Sequence, residues 1–145
     1  MPGRDEEQRV DGFPLHDEVE DFAGRKRRFV IDCDEGPLGF TIRAREVRSR
    51  GEGYEFGAYS ETSPWSALAS VRRKMHRALA TRHLSGSPGA YRMLHDRLRG
   101  RITWSSERGT TLVVDGIELG MDELDSLLAS HEGFTFELRL ADGLD

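Results

Sequence analysis

The sequence predicts an α+β fold, an antiparallel or mixed sheet of about five to six strands with two main helices on one face. Apolar and polar residues alternate between residues 27 and 60, which is typical of strands that bury one face. Apolar residues recur at three- and four-residue spacing from Trp65 to about His83 and again from Met121, as in amphipathic helices. Strands and helices come in groups rather than as repeated strand–helix pairs, which favours this class over a parallel α/β fold.

The 145 residues have room for one domain with a hydrophobic core. Residues 1–24 hold eight acidic side chains and two arginines, and we expect them to form a disordered leader. A short anchoring segment within this leader is the alternative, and it would use Phe13, Leu15, Val19 and Phe22. We expect residues 25–141 to form a single α+β domain and residues 142–145 to be a C-terminal tail.

The first half of the domain predicts a three-stranded meander followed by a helix. Residues 27–34 and 38–45 alternate around a Glu-Gly-Pro turn, and residues 54–60 continue as a third strand. Ser63 supplies a hydroxyl at the helix N-cap and Pro64 suits the first helical position, so the helix is expected to begin there.

The second half predicts shorter elements. Residues 90–99 fit a helix or a strand, whereas residues 101–104 and 111–119 favour strands, the latter folded at an Asp-Gly turn. A second helix is expected from about Met121, with Gly133 at its C-terminal end. Phe134, Phe136, Leu138 and Leu140 alternate with polar residues and are expected to complete the core as a final strand.

Three short stretches of the last third carry a resemblance. They are GRITW at 100–104, VVDGIEL at 113–119 and HEGFTFEL at 131–138, with Glu123 and Leu124 between the last two. This region resembles a family of uncharacterised bacterial domains of unknown function. The resemblance implies the same order of elements and no assigned chemistry.

Cysteine content and hydropathy predict a cytoplasmic location. The only cysteine is Cys33, so an internal disulfide is excluded. No apolar run approaches the roughly 20 residues that cross a bilayer, and the first twenty residues lack the apolar core of a secretory signal. We therefore expect no membrane partner.

The motifs of common active sites and cofactor sites do not assemble in this sequence. His76 and His83 lie on the predicted first helix among arginines, whose charge repels a cation, so no metal site is predicted even if His95 joins them. Cys33 alternates in register with inward residues and is expected to be a core side chain rather than a nucleophile. No phosphate-binding glycine loop is present. We predict no catalytic residue and no cofactor, and we favour a chain that is not an enzyme.

The segregation of charge along the chain is the one sequence feature that points to a function. Residues 64–101 carry nine basic side chains against one acid, Asp96, whereas residues 102–145 carry two arginines and ten acids. The candidate partner contacts are Arg73, Lys74, Arg77 and Arg82. These bases either pair with the acidic C-terminal region or bind a partner.

These observations together favour a small non-catalytic protein-binding or accessory domain whose partner is another protein. The alternative is a nucleic-acid-binding module that uses the basic residues 72–101. The oligomeric state is left open by the sequence.

Overall fold

The computed structural model describes residues 8–145, so the first seven residues of the predicted leader lie outside it. Its strands are β1 Gln8–Arg9, β2 Leu15–Glu20, β3 Lys26–Gly36, β4 Gly39–Glu46, β5 Glu55–Ser60, β6 Leu84–Ser85, β7 Arg92–Met93, β8 Arg101–Ser105, β9 Gly109–Val114 and β10 Ile117–Leu119. Its helices are α1 Pro64–Leu79 and α2 Met121–Ala129. Every strand pairing in this part of the chain is antiparallel, and the predicted α+β class is confirmed.

The described residues form two compact units. The first unit comprises residues 8–47, Glu55–Ala80 and Ala141–Asp145, and the second comprises Arg48–Tyr54 and Thr81–Leu140. The sequence-based domain at 25–141 spans both units, and the predicted tail at 142–145 lies in the first. The strands form sheets of five, three and two strands, and each main helix lies in a different unit.

The first unit is a five-stranded sheet covered by α1. Its strand order is β1-β3-β4-β5, with β2 also paired to β3, so the predicted meander is confirmed for β3 to β5. The Oγ of Ser63 caps α1 by accepting hydrogen bonds from the backbone N–H groups of Trp65 and Ser66. The core side chains of the helix recur at three- and four-residue spacing: Ala67, Leu68, Val71, Met75 and Leu79.

The structure corrects the prediction of a disordered leader for residues 8–24. β2 pairs with β3 over six residues, from Leu15 opposite Ile31 to Glu20 opposite Lys26. Phe13 and Val19 are buried. The high charge of this region does not prevent folding, because Asp17 bonds Arg72, Asp21 bonds Arg27 and two backbone N–H groups, and Glu20 remains exposed to solvent.

The second unit contains the sheet β10-β9-β8, the strand pair β6–β7 and helix α2. Its core holds Leu84, Val114, Leu119 and Leu127. Asp115 and Gly116 form the predicted turn between β9 and β10, with φ of 56° and 75°. The ambiguous residues 90–99 contribute only the short strand β7.

The structure also corrects the predicted final strand. Residues 134–140 form neither helix nor strand, and Phe134, Phe136, Leu138 and Leu140 are 62–88% exposed. Their alternation matches a strand, but the sheet of the second unit ends at β8 and contains no pairing for them among the described residues. α1 also ends earlier than predicted, at Leu79 rather than near His83.

Candidate functional site

The four candidate basic contacts have different surroundings. Nζ of Lys74 donates a hydrogen bond of 2.6 Å to the carbonyl oxygen of Gly57. Burial lowers the pKa of Lys74, and the nearby carboxylates of Asp145 and Asp142 oppose this shift. Nε of Arg82 donates to the carbonyl oxygen of Leu84 at 2.7 Å. Lys74 and Arg82 thus have structural contacts of their own.

The other two candidates, Arg73 and Arg77, are exposed on α1. Their neighbour Arg72 forms a two-bond contact with Asp17, at 2.9 Å for each nitrogen–oxygen pair. That hydrogen bond raises the pKa of Arg72. Further along the basic stretch, Arg101 donates to Glu52 at 3.0 Å and to the Gly53 carbonyl oxygen at 2.7 Å. Several bases of residues 72–101 therefore bond acids and carbonyls of their own unit.

A buried His–Asp pair lies in the second unit, and the sequence analysis did not identify it. Nδ1 of His83 lies 2.9 Å from Oδ1 of Asp115, which favours the tautomer with its proton on Nδ1. The other carboxylate oxygen accepts hydrogen bonds of 2.8 Å from the backbone N–H groups of His83 and Leu84. Asp115 thus joins the β9–β10 turn to the start of β6. Its position in an Asp-Gly turn was readable from the sequence, but its partner 31 to 32 residues away was not.

Cys33 lies in the core, as predicted, with no exposed surface. Burial raises the pKa of its thiol to about 11, and the charges of Asp34 and Glu35 act in the same direction. The thiolate is therefore scarce at neutral pH, and the side chain has little nucleophilic character.

The structure does not group the histidines considered as metal ligands with one another or with Cys33. His76 and His95 are exposed, whereas His83 contacts Asp115. Across residues 8–145, no three His, Cys, Asp or Glu side chains are grouped as a metal ion would require. No helix in that range is long and apolar enough to cross a membrane.

Four exposed large apolar side chains of the second unit lie close together in the chain, within residues 134–140. We call residues 134–140 the exposed segment. Phe134 is anchored at its start, where its N–H donates to the carbonyl oxygen of His131 at 2.9 Å. The two rings meet edge to face with centroids 4.9 Å apart. Beyond this anchor, Phe136 and Leu138 are 88% and 78% exposed. Its exposed apolar side chains make this segment a candidate interaction surface.

The second apolar feature is the β8 edge, which we define as the side of β8 that faces away from β9. Among the described residues β8 pairs with β9 alone. Ile102 is opposite Leu112, which is opposite the fully buried Leu119, so the three side chains share one face of the sheet. On that face, Ile102 and Trp104 are 55% and 71% exposed. The core face of this sheet therefore continues outward as exposed apolar surface.

Two family models match the chain, each over less than half of its length. Residues 12–80 are similar to a domain of unknown function (DUF7686), and residues 83–145 to a second domain of unknown function (DUF7713). The expected similarity to uncharacterised domains is confirmed. It is not restricted to the last third of the chain, and all three stretches that carry the resemblance lie in the second match. Neither a curated protein nor a solved structure matches the chain.

Proposed function

We propose that this chain is a small, non-catalytic protein-binding or accessory module that docks through the exposed segment and the β8 edge. The observation that carries this proposal is the exposure of four large apolar side chains, 62–88% each, at alternate positions of seven residues that form neither helix nor strand. Alternation keeps them on one side of the backbone when the segment is a strand.

A segment with large apolar side chains at alternate positions is suited to recognition by strand addition, in which it pairs with the edge of a partner's sheet. In that mode, main-chain hydrogen bonds supply affinity and pockets for alternate side chains supply specificity. The segment offers apolar groups on one side and Thr135, Glu137 and Arg139 on the other. A protein partner with an open sheet edge fits both requirements.

The proposed compartment is the cytoplasm. A free, buried Cys33 is stable under reducing conditions and supports this location. We also propose that the chain is bacterial, as the resemblance in its last third implies.

A photo-crosslinking amino acid at position 136 tests the proposed function directly. In a lysate of the source cells, the full chain should form discrete protein adducts at position 136. A second change, Leu138→Lys, should remove them. The same crosslinker at position 38 is the matched control, because Leu38 is 80% exposed in a turn of the first unit. Equal adducts at both positions, or none at 136, would refute the proposal.

Nucleic-acid binding is the alternative, and the exposure of Arg73 and Arg77 on one helix supports it. Binding through phosphates would weaken steeply with added salt. A titration with labelled single- and double-stranded oligonucleotides would support this alternative if Arg73→Glu with Arg77→Glu removed a salt-sensitive affinity. We expect no such affinity in the unmodified chain.

A further inference from the structure

We infer that the partner that binds the exposed segment and the β8 edge is a second copy of this chain, bound by reciprocal strand exchange. The exposed segment of each copy adds to the β8 edge of the other, which makes a two-fold symmetric dimer. This inference rests on the proposed function and specifies its partner. The carrying observation is that one unit presents both an unpaired segment with alternating exposed apolar side chains and an open sheet edge with exposed apolar side chains.

The exposed segment is suited to donate a strand. It forms neither helix nor strand and lies outside the sheets of the described chain. The N–H of Phe134 bonds the His131 carbonyl oxygen, but the N–H and C=O groups of residues 135–140 are available for a ladder. β8 is suited to accept it, because an edge strand presents a row of such groups. The segment has seven residues and β8 has five, so the segment is long enough to pair along most of this edge.

Side-chain chemistry selects a register for an antiparallel addition. To continue the apolar face, Phe134 must lie opposite Trp104 and Phe136 opposite Ile102, since a one-residue slip turns the apolar set to the other face. The same register places Glu137 opposite Arg101, a pair of opposite charges. A two-residue shift would instead place Arg139 opposite Arg101, and like charges facing each other oppose pairing.

The opposite face of the sheet also accommodates this register. Thr103 and Thr111 already share a hydrogen bond of 2.6 Å between their hydroxyls. Thr135 would lie opposite Thr103 and extend this row to three threonines. Both faces of the added strand therefore meet side chains of their own kind.

The area covered approaches that of a standard interface. In each copy six large apolar side chains, each more than half exposed, would be covered: Ile102, Trp104, Phe134, Phe136, Leu138 and Leu140. Three of them are aromatic, and a buried aromatic side chain contributes roughly 150–250 Å². Together with the three aliphatic side chains they approach the roughly 800 Å² per partner of a standard interface. In a reciprocal exchange, the exposed segment of each copy covers the β8 edge of the other, so both segments and both edges are covered.

Sedimentation velocity of the full chain from about 1 to 100 μM tests the inference, since dimerisation depends on concentration. We expect a dimer that dissociates on dilution. Phe136→Lys in the donor and Trp104→Lys in the acceptor should each weaken it at least tenfold. Both side chains are exposed, so unchanged circular dichroism should verify folding. Leu38→Lys is the matched control and should leave the dimer intact.

Mixing the two variants distinguishes strand exchange from a general apolar contact. The Trp104→Lys copy still has a normal donor, and the Phe136→Lys copy still has a normal acceptor. The mixture should therefore form a heterodimer with one strand addition, more stable than either variant's own dimer and weaker than the unmodified one. A wild-type chain that stays monomeric at the highest concentration, or a dimer insensitive to both variants, would overturn the inference. If adducts with other proteins at position 136 nevertheless persisted, the self-association would fail while the proposed function stood.

Discussion

At the scale of single residues, Asp21 shows how this chain uses buried charge. Its carboxylate is 1% exposed and accepts hydrogen bonds from the backbone N–H groups of Ala23 and Arg25. Nε of Arg27 donates to it at 2.9 Å, and another nitrogen of Arg27 donates to Glu46 at 3.0 Å. Burial raises the pKa of Asp21, but these hydrogen bonds outweigh it and hold the pKa below its ordinary value of 3.8.

A depressed folded-state pKa predicts a defined pH dependence. The ionised Asp21 stabilises the fold above the unfolded pKa of 3.8, and this contribution is lost as pH falls through the lower folded pKa. Asp21→Asn should therefore reduce the free energy of unfolding by about 2 kcal/mol at neutral pH. The difference from wild type should shrink below pH 3.8. Urea denaturation at several pH values measures it, and a deficit that does not depend on pH would contradict the assignment.

Asp115 is the second residue with a testable structural role. Asp115→Ala would leave two buried backbone N–H groups without an acceptor, at a cost of about 2–4 kcal/mol. It would also place alanine at a φ of 56°. Asp115→Asn should cost less, because asparagine tolerates this φ and keeps one acceptor oxygen. The exposed Glu132→Ala is the control. Equal urea midpoints for Asp115→Ala and Glu132→Ala would show that the contacts contribute nothing.

Residues whose role depends on local chemistry could be predicted from the sequence. Ser63 and Pro64 begin a helix because capping needs only the next few backbone groups. The Asp115–Gly116 turn is recognisable because it demands positive φ at both positions. The contact of Asp115 with His83 depends on folding over 32 residues and has no local signal.

At the scale of elements, β2 and the exposed segment show two opposite failures of pattern reading. The charge of β2 exceeds its apolar content and predicts a disordered leader, yet β2 pairs with β3, and Arg72 of α1 bonds its Asp17. The exposed segment has the alternation of a core strand, but alternation predicts only an extended backbone and not its partner. In both cases the sequence does not show which sheet edge is available for the segment to pair with.

The role of β2 predicts a large effect at its buried position. Val19 is 4% exposed, so Val19→Asp would bury an unpaired carboxylate and should destabilise the first unit by about 3 kcal/mol or more. Val47→Asp is the matched control, since Val47 is 58% exposed, and it should change stability by less than about 1 kcal/mol. Thermal denaturation of both variants provides the comparison. Similar midpoints would mean that β2 is not part of the core.

At the scale of the whole molecule, charge along the chain does not translate directly into charge on the surface. The basic residues 72–101 suggest a cationic face, but Arg72 bonds Asp17, Lys74 lies near two carboxylates and Arg101 bonds Glu52. The pairing of these bases with acids reduces the free positive charge on the surface, whereas the apolar side chains of the exposed segment and the β8 edge remain exposed. This contrast is the reason that we propose a protein partner rather than a phosphate backbone.

Hydrogen exchange of the backbone amides of residues 135–140, followed as protein concentration rises, tests the central claim most directly. The account predicts fast exchange at about 1 μM and slow exchange at about 100 μM, because the amides become bonded only when the segment joins a second copy's β8. Phe136→Lys should keep exchange fast at both concentrations. Slow exchange at the lowest concentration, where the chain is monomeric, or fast exchange at every concentration, would contradict the assignment of this segment as the docking strand.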